Sequence, residues 1–330
     1  YAHIMDRDFE SDANGANLAN PGDCADIARQ LIEFRRNVIG SDGLEVALGG
    51  GRANFIPAAT TDPEYGSPGL RLDNRDLTGE WQQQHENGRY VWNKQQFDDI
   101  DPDTTDHLLG LFEPSHMQYE LDREDAWNGE PSLSEMTRKA IQILQRNDNG
   151  YYLNIEAGRI DHGHHATNPI RALTDAIEFS NAIRTAYEMV DMEETLIIVT
   201  ADHSHVFTIA GYPARGNPIL GKVLGLDRSG EPRDEFSLAS DGLPYTTLGY
   251  INGRGYHDTA EQRGSTRIDL TEVDTEAESF WSETLVPLPA GAETHGGEDV
   301  AIYAAGPGSD LIRGVMEQHV IFHVMLEANQ

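Results

Sequence analysis

Apolar positions change their period several times along these 330 residues. Over 26–36, Ile27, Leu31, Ile32 and Phe34 recur at helical spacing. The run over 44–48 reads as a short strand, and Gly49, Gly50 and Gly51 follow it, which suits a close approach of backbone. Residues 58–130 are acidic, aromatic and loop-rich, with no repeat. From Ser132 the helical period returns, with Ser132 or Ser134 as N-cap and Met136, Ile141, Ile143 and Leu144 inward. The Asn147-Asp148-Asn149-Gly150 turn ends that helix, and 151–155 follows as a strand. Pro169 opens the next helix where a missing N–H is harmless, with Ile170, Leu173, Ile177, Ile183, Tyr187 and Val190 as its buried face. Residues 195–200 read as a strand buried on both faces. Residues 206–293 are irregular and look like an insertion; 299–305 is a final strand and 312–328 a final helix.

Strands alternating with helices predict an α/β, doubly wound, mostly parallel central sheet with helices on both faces. We expect a single domain over 1–330 with an insertion at about 207–293. The triple glycine has neither the Walker nor the dinucleotide-binding spacing.

Charge changes the picture. The chain carries 56 Asp plus Glu against 24 Lys plus Arg, a net charge of -32. That sign excludes a nucleic-acid-binding module. The acids are spread among ordered-looking segments, so they read as a solvated surface, which fits a saline habitat. No apolar stretch reaches the roughly 20 residues that span a bilayer. Cys24 is the lone cysteine, so an internal disulfide and Cys-rich zinc ligation are excluded.

The chemistry sits at strand ends, where open α/β sheets bind ligands. Asp161 and His165 lie four apart just past one predicted strand, and Asp202-His203 closes another. His295 stands ahead of the last strand. Imidazole with carboxylate suits zinc, and all-oxygen sets suit magnesium. Successive pairs of this kind predict a multi-metal hydrolase site.

Three long motifs carry a resemblance. They are Asn154-Ile155-Glu156-Ala157-Gly158-Arg159-Ile160-Asp161-His162-Gly163-His164-His165, Val199-Thr200-Ala201-Asp202-His203-Ser204-His205-Val206-Phe207, and Glu293-Thr294-His295-Gly296-Gly297-Glu298-Asp299. Together with Leu48-Gly49-Gly50-Gly51-Arg52 and Gly110-Leu111-Phe112-Glu113-Pro114, they resemble the alkaline phosphatases nearly end to end. His162 after Asp161 is closer to the animal and marine bacterial enzymes than to the enteric type, which has Lys there.

The resemblance implies hydrolysis of small phosphate monoesters to inorganic phosphate through a phosphoserine, with two Zn2+ and one Mg2+. Asp161, His165 and His295 would hold the first zinc, Asp202 and His203 the second, and Glu156 the magnesium. Arg7 would clamp the phosphoryl oxygens, with His162 touching phosphate or magnesium through water. A fourth, Ca2+- or Mg2+-like site is implied at Glu64, Glu113, the Phe112 carbonyl and Glu130, although the spacing around 122–130 departs from the animal pattern. A crown-like insertion at 207–293, a homodimer and export to the periplasm or outside are implied as well.

The family's nucleophilic Ser stands in an Asp-Ser-Ala setting, which does not occur in this sequence. The resemblance places it upstream of Tyr1, so we expect an N-terminal segment as partner and no turnover by this chain alone. Alternatives are a phosphodiesterase or sulfatase on the same scaffold, or a non-catalytic metal- and phosphate-binding remnant. His162 and Arg7 favour a monoester dianion, and no His-Glu-x-x-His of a zinc peptidase occurs. The acidic surface predicts that molar salt raises the melting temperature; a melting curve indifferent to salt removes the saline-habitat expectation.

Overall fold

The computed structural model describes residues 10–11, 25–34, 41–124, 129–254, 267–288 and 292–329. Arg7 and Cys24 lie outside them. The chain divides into two compact units, Tyr1–Ile155 and Glu156–Gln330.

The first unit is built on a parallel sheet. Helix α1 (Ile27–Ile32) is capped by Asp26, which accepts from the Arg29 N–H at 3.1 Å. Strand β1 (Val46–Gly49) is followed by α2 (Leu77–Gln84), β2 (Gly88–Val91), α3 (Lys94–Asp98), β3 (His107–Leu111) and α4 (Leu133–Leu144). The strand order is β1-β3-β2, all parallel, with Ala47 opposite Leu109 and Tyr90 opposite Leu109 on the other side.

Strand alternation covers both faces of this sheet. Leu109 and Leu111 pack with Ile32, Phe55, Leu77 and Trp81, whereas Leu108 and Phe112 pack with Val91, Phe97 and Ile143. Helices α1 and α2 therefore serve one apolar cluster, and α3 and α4 the other. The Ser132 side chain and Glu135 close a capping box at the start of α4, and Ile141, Ile143 and Leu144 are buried as the sequence predicts.

Much of 58–130 is not loop. It holds α2, β2, α3 and β3, including two of the three strands of the sheet. These elements run only four to eight residues, too few to display a period.

The second unit begins with α5 (Arg159–His165) and α6 (Pro169–Met189). Strand β4 (Ile197–Thr200) pairs antiparallel with β10 (Ile302–Ala305). Two short strands, β5 (Ser204–His205) and β9 (His295–Gly296), pair antiparallel with His205 opposite His295. Within 206–293, β6 (Phe207–Ile209), β7 (Leu248–Gly253) and β8 (Thr284–Pro287) make a three-stranded mixed sheet. The last helix is α7 (Val320–Ala328).

Four expectations are corrected here. Residues 151–155 form no strand, since no described neighbour pairs with them, and Tyr152 is exposed. Residues 197–199 are half-buried, because β4 has a single partner among the described residues. Helix α6 buries Ala172, Ala182 and Thr185 while Ile177 and Tyr187 are exposed. Ala172 lies against α5, where a Cβ on Gly163 would stand 2.7 Å from the Ala172 nitrogen. The final helix starts at Val320, after Gly314 has taken a φ of 65° that breaks any helix running from 312.

The fully buried Leu109 packs with the α1–α2 cluster and occupies the middle strand, so Leu109→Ala should destabilise the first unit by about 2–5 kcal/mol. Urea unfolding followed by Trp81 fluorescence measures it; an unchanged midpoint would contradict the sheet described.

Candidate metal centre

Helix α5 sets the centre. Asp161 and His165, four residues apart, share one face of it. The helix ends at His165, and just past its C-cap Ala166 stands Thr167, a buried β-branched residue held at a φ of 52°. Opposite, the antiparallel pairing of β5 with β9 brings His205 against His295, and His203 precedes β5.

Four imidazoles converge on one carboxylate oxygen. Asp161 Oδ1 lies 3.0 Å from His205 Nε2, 3.3 Å from His295 Nε2, 3.4 Å from His165 Nε2 and 3.9 Å from His203 Nε2. This oxygen is buried, and none of the four contacts has hydrogen-bonding geometry. The Nε2 atoms of His165 and His295 face each other at 3.1 Å, and the His203 and His295 rings stack at 3.6 Å.

Tautomers follow from the partners at Nδ1. His165 Nδ1 is 2.7 Å from the Glu293 carbonyl, and His205 Nδ1 is 2.8 Å from the Glu293 carboxylate. Both partners only accept, so both Nδ1 atoms carry hydrogen, and the tautomer this selects presents an Nε2 lone pair inward. Lone pairs facing a carboxylate oxygen are what a divalent cation with nitrogen and oxygen ligands satisfies, so the residues present fit a zinc-type ion. Behind them, burial chiefly, helped by His205, pushes His164 down to about 4. Its Nδ1 lies 3.0 Å from the Tyr250 hydroxyl.

The structure brings together Asp161, His165, His203 and His295 of the residues the sequence singles out. Asp202 and Glu156 are in neither group of converging ligand atoms. Asp202 is exposed and accepts from the His203 N–H at 3.1 Å. Glu156 is exposed ahead of α5. The His162 Nδ1 lies 2.8 Å from an Arg159 guanidinium nitrogen. His205 and Glu293 belong to the converging groups without having been singled out. A signal existed: each is two residues from an assigned ligand, and extended backbone puts such positions on one face.

In the first unit, Arg52 is fully buried and ion-paired to Asp62 and Glu64, both at 2.6 Å. Glu113 accepts from the Tyr65 hydroxyl at 2.8 Å and from Gln118 at 3.1 Å. Glu130 accepts from the Gln118 N–H at 2.7 Å, and its other oxygen is buried without a partner. Burial, then the charges of Glu113 and Glu64, push Glu130 up to about 8. Glu64, Glu113 and Glu130 are not among the groups whose ligand atoms meet within 4.8 Å. Phe112 follows β3 and is buried in the cluster of Val91, Phe97, Leu108 and Ile143.

An alkaline phosphatase family profile matches residues 1–330. The chain belongs to the alkaline phosphatase family. It is 42% identical over 334 residues to alkaline phosphatase of Gadus morhua, covering 99% of this chain and 65% of that one. It is 41% identical over 335 residues to the tissue-nonspecific isozyme of Homo sapiens, covering 99% and 59%. The chain thus spans about three fifths to two thirds of the length of these relatives. Solved alkaline phosphatases share the fold: a cold-active one from Shewanella sp. (TM-score 0.54, 20% identity, 92% of this chain and 68% of that one), and one from the Antarctic bacterium TAB5 (TM-score 0.51, 19%, 90% and 63%).

Glu130 predicts a pH dependence. Its folded pKa is raised from 4.5 to about 8, so the folded state holds a proton that the unfolded chain has lost between those values. Stability present below pH 4.5 should therefore fall as pH rises through 8, and Glu130→Gln should flatten the slope. Urea midpoints across that range measure it; an equal slope in both proteins would show that Glu130 is ionised when folded.

Proposed function

We propose that this chain carries the metal-binding face of a phosphomonoester hydrolase. The observation that carries the reading is the convergence of four imidazole Nε2 atoms on Asp161 Oδ1, in a chain of the alkaline phosphatase family.

On this reading Asp161, His165 and His295 hold one zinc, Asp202 and His203 belong to a second, and Glu156 belongs to a magnesium site. Bound metals supply Lewis acidity and neutralise charge at the phosphoryl group. The chain's own residues supply the framework. Helix α5 fixes the relative position of Asp161 and His165. The strand pair β5–β9 holds His295 beside them. Arg159 orients the His162 ring, which we assign to phosphate contact. Arg7 has the planar pair of donors that grips two phosphoryl oxygens.

The nucleophile is a serine hydroxyl that attacks phosphorus as the ester oxygen leaves; water then cleaves the phosphoserine to release inorganic phosphate. We assign that serine to no residue of these 330. Contact mainly with the phosphoryl group implies a broad range of monoesters. We further propose that 207–293 forms the crown-like insertion of a homodimer, and that the protein works in the periplasm or outside the cell. Glu64, Glu113, Glu130 and the Phe112 carbonyl are proposed as a fourth cation site, with Glu64 also ion-paired to Arg52. No described helix is long and apolar enough to cross a membrane.

Protein carrying this chain should hydrolyse an aryl phosphate at alkaline pH, lose turnover to a chelator and regain it with zinc plus magnesium. Aryl monoester should outpace bis-aryl diester. Asp161→Asn should lower zinc retention by about tenfold or more. Preference for the diester would replace the reading by a phosphodiesterase, and zinc retention unaffected by Asp161→Asn would remove the metal site.

A further inference from the structure

We propose that Glu293 is a positioning residue for the imidazoles around Asp161, holding His205 by its side chain and His165 by its main chain; the role rests on the metal-site reading above. Glu293 is 2% exposed. Its Oε1 accepts from the Val206 N–H at 2.8 Å, and its Oε2 from His205 Nδ1 at 2.8 Å. Both oxygens are therefore committed to donors on the strand that carries His205.

The main chain grips α5 at two points. The Glu293 N–H donates to the His165 carbonyl at 3.1 Å, and the Glu293 carbonyl accepts from His165 Nδ1 at 2.7 Å. One residue thus fixes the end of α5, the start of the 204–209 strands and the segment leading into His295. A Cβ on Gly253 would stand 3.1 Å from the Glu293 Cβ, so the acid is packed from the β7 side as well.

Its oxygens, His165 and His205 also meet within the distance expected of a ligand set. The hydrogen bonds decide against that role. The ring nitrogens that face Glu293 are the Nδ1 atoms of His165 and His205, and each donates a hydrogen to an acceptor of Glu293, so neither keeps a lone pair for an ion on that side. Orientation of imidazoles through Nδ1 is the ordinary work of such an acid: it fixes the tautomer and aims Nε2. Without it, His205 is free to carry its hydrogen on Nε2 and to turn that hydrogen toward Asp161.

The test uses the full chain with E293Q, and with E293D as the conservative variant. A glutamine offers one acceptor and one donor where the carboxylate offers two acceptors, so either Val206 N–H or His205 Nδ1–H loses its partner. We expect E293Q to weaken zinc retention by about 10- to 100-fold in competition with a chromogenic chelator, and E293D to fall between. In metal-free protein with 15N-labelled histidine, E293Q should abolish the His205 Nδ1–H signal. Unchanged zinc affinity together with an unchanged imidazole spectrum overturns the proposal. So does a lower melting temperature of metal-free E293Q with affinity and spectrum intact, which would make the acid merely structural. If the unsubstituted chain retains no zinc, the metal-site reading fails, and the metal-free spectrum alone decides: loss of the His205 signal supports positioning, and its retention overturns it. If E293Q does not fold, E293D is read in the same way.

Discussion

A carboxylate oxygen enclosed among imidazole nitrogens that turn lone pairs toward it is held there only by forces applied elsewhere. At Asp161 those forces come from the main chain and side chain of Glu293. The Glu293 carbonyl and carboxylate take the Nδ1 hydrogens of His165 and His205, which leaves their Nε2 atoms facing Oδ1 at 3.4 and 3.0 Å. The cost is distributed over the surroundings. Gly163 lets α5 lie against Ala172, and Thr167 accepts a left-handed conformation so that the chain can turn into α6. A strained β-branched residue beside a cluster of acceptors is a local expense that only an over-determined fold sustains.

The two units handle buried charge in different ways. In the first, Arg52 supplies the cation itself: its guanidinium is fully covered and meets Asp62 and Glu64, and its remaining donors reach the Trp92 and Leu111 carbonyls. Nothing further is needed for Glu64, whereas Glu130 has no such partner and is held as a neutral acid by burial. In the second unit the ion-pair partners of Asp161 Oδ1 among the described residues are imidazoles, those of His165, His203, His205 and His295. A protein that wanted only to neutralise Asp161 would use the first solution. The second makes sense where the positive charge comes from outside the chain.

The sequence made the second unit's candidate ligands legible because Asp161 and His165 stand four apart on one helix face while His203 and His295 fall before and within short strands, so residue type and near neighbours suffice. Asp161 with His165, His203, and His295 each meet in space as their positions suggest. His205 and Glu293 were harder to single out, since their roles depend on the partner at Nδ1 and on the antiparallel register of β5 with β9. Neither is encoded by spacing. The capped α4 and the Pro-initiated α6 were visible through their first residues, yet the buried face of α6 was misread. Apolar size points to Ile177 and Tyr187, but the structure buries Ala172 and Ala182, Ala172 by close approach of Gly163. The short β2 and β3 escaped for a third reason: at four and five residues they are too brief to show alternation.

Net charge and site chemistry act on different scales here. With 56 acids against 24 bases, the surface attracts cations of every kind, and such attraction does not discriminate among them. Discrimination needs donors of a particular softness at fixed positions. Carboxylates alone favour calcium or magnesium, whereas converging imidazoles shift the preference toward zinc-like ions. The acids of the first unit, one of them committed to Arg52, and the imidazoles of the second are therefore not interchangeable sites. On the proposed metal-site reading, the acidic surface sets how much cation is nearby, and the Nε2 atoms aimed by Glu293 set which cation stays.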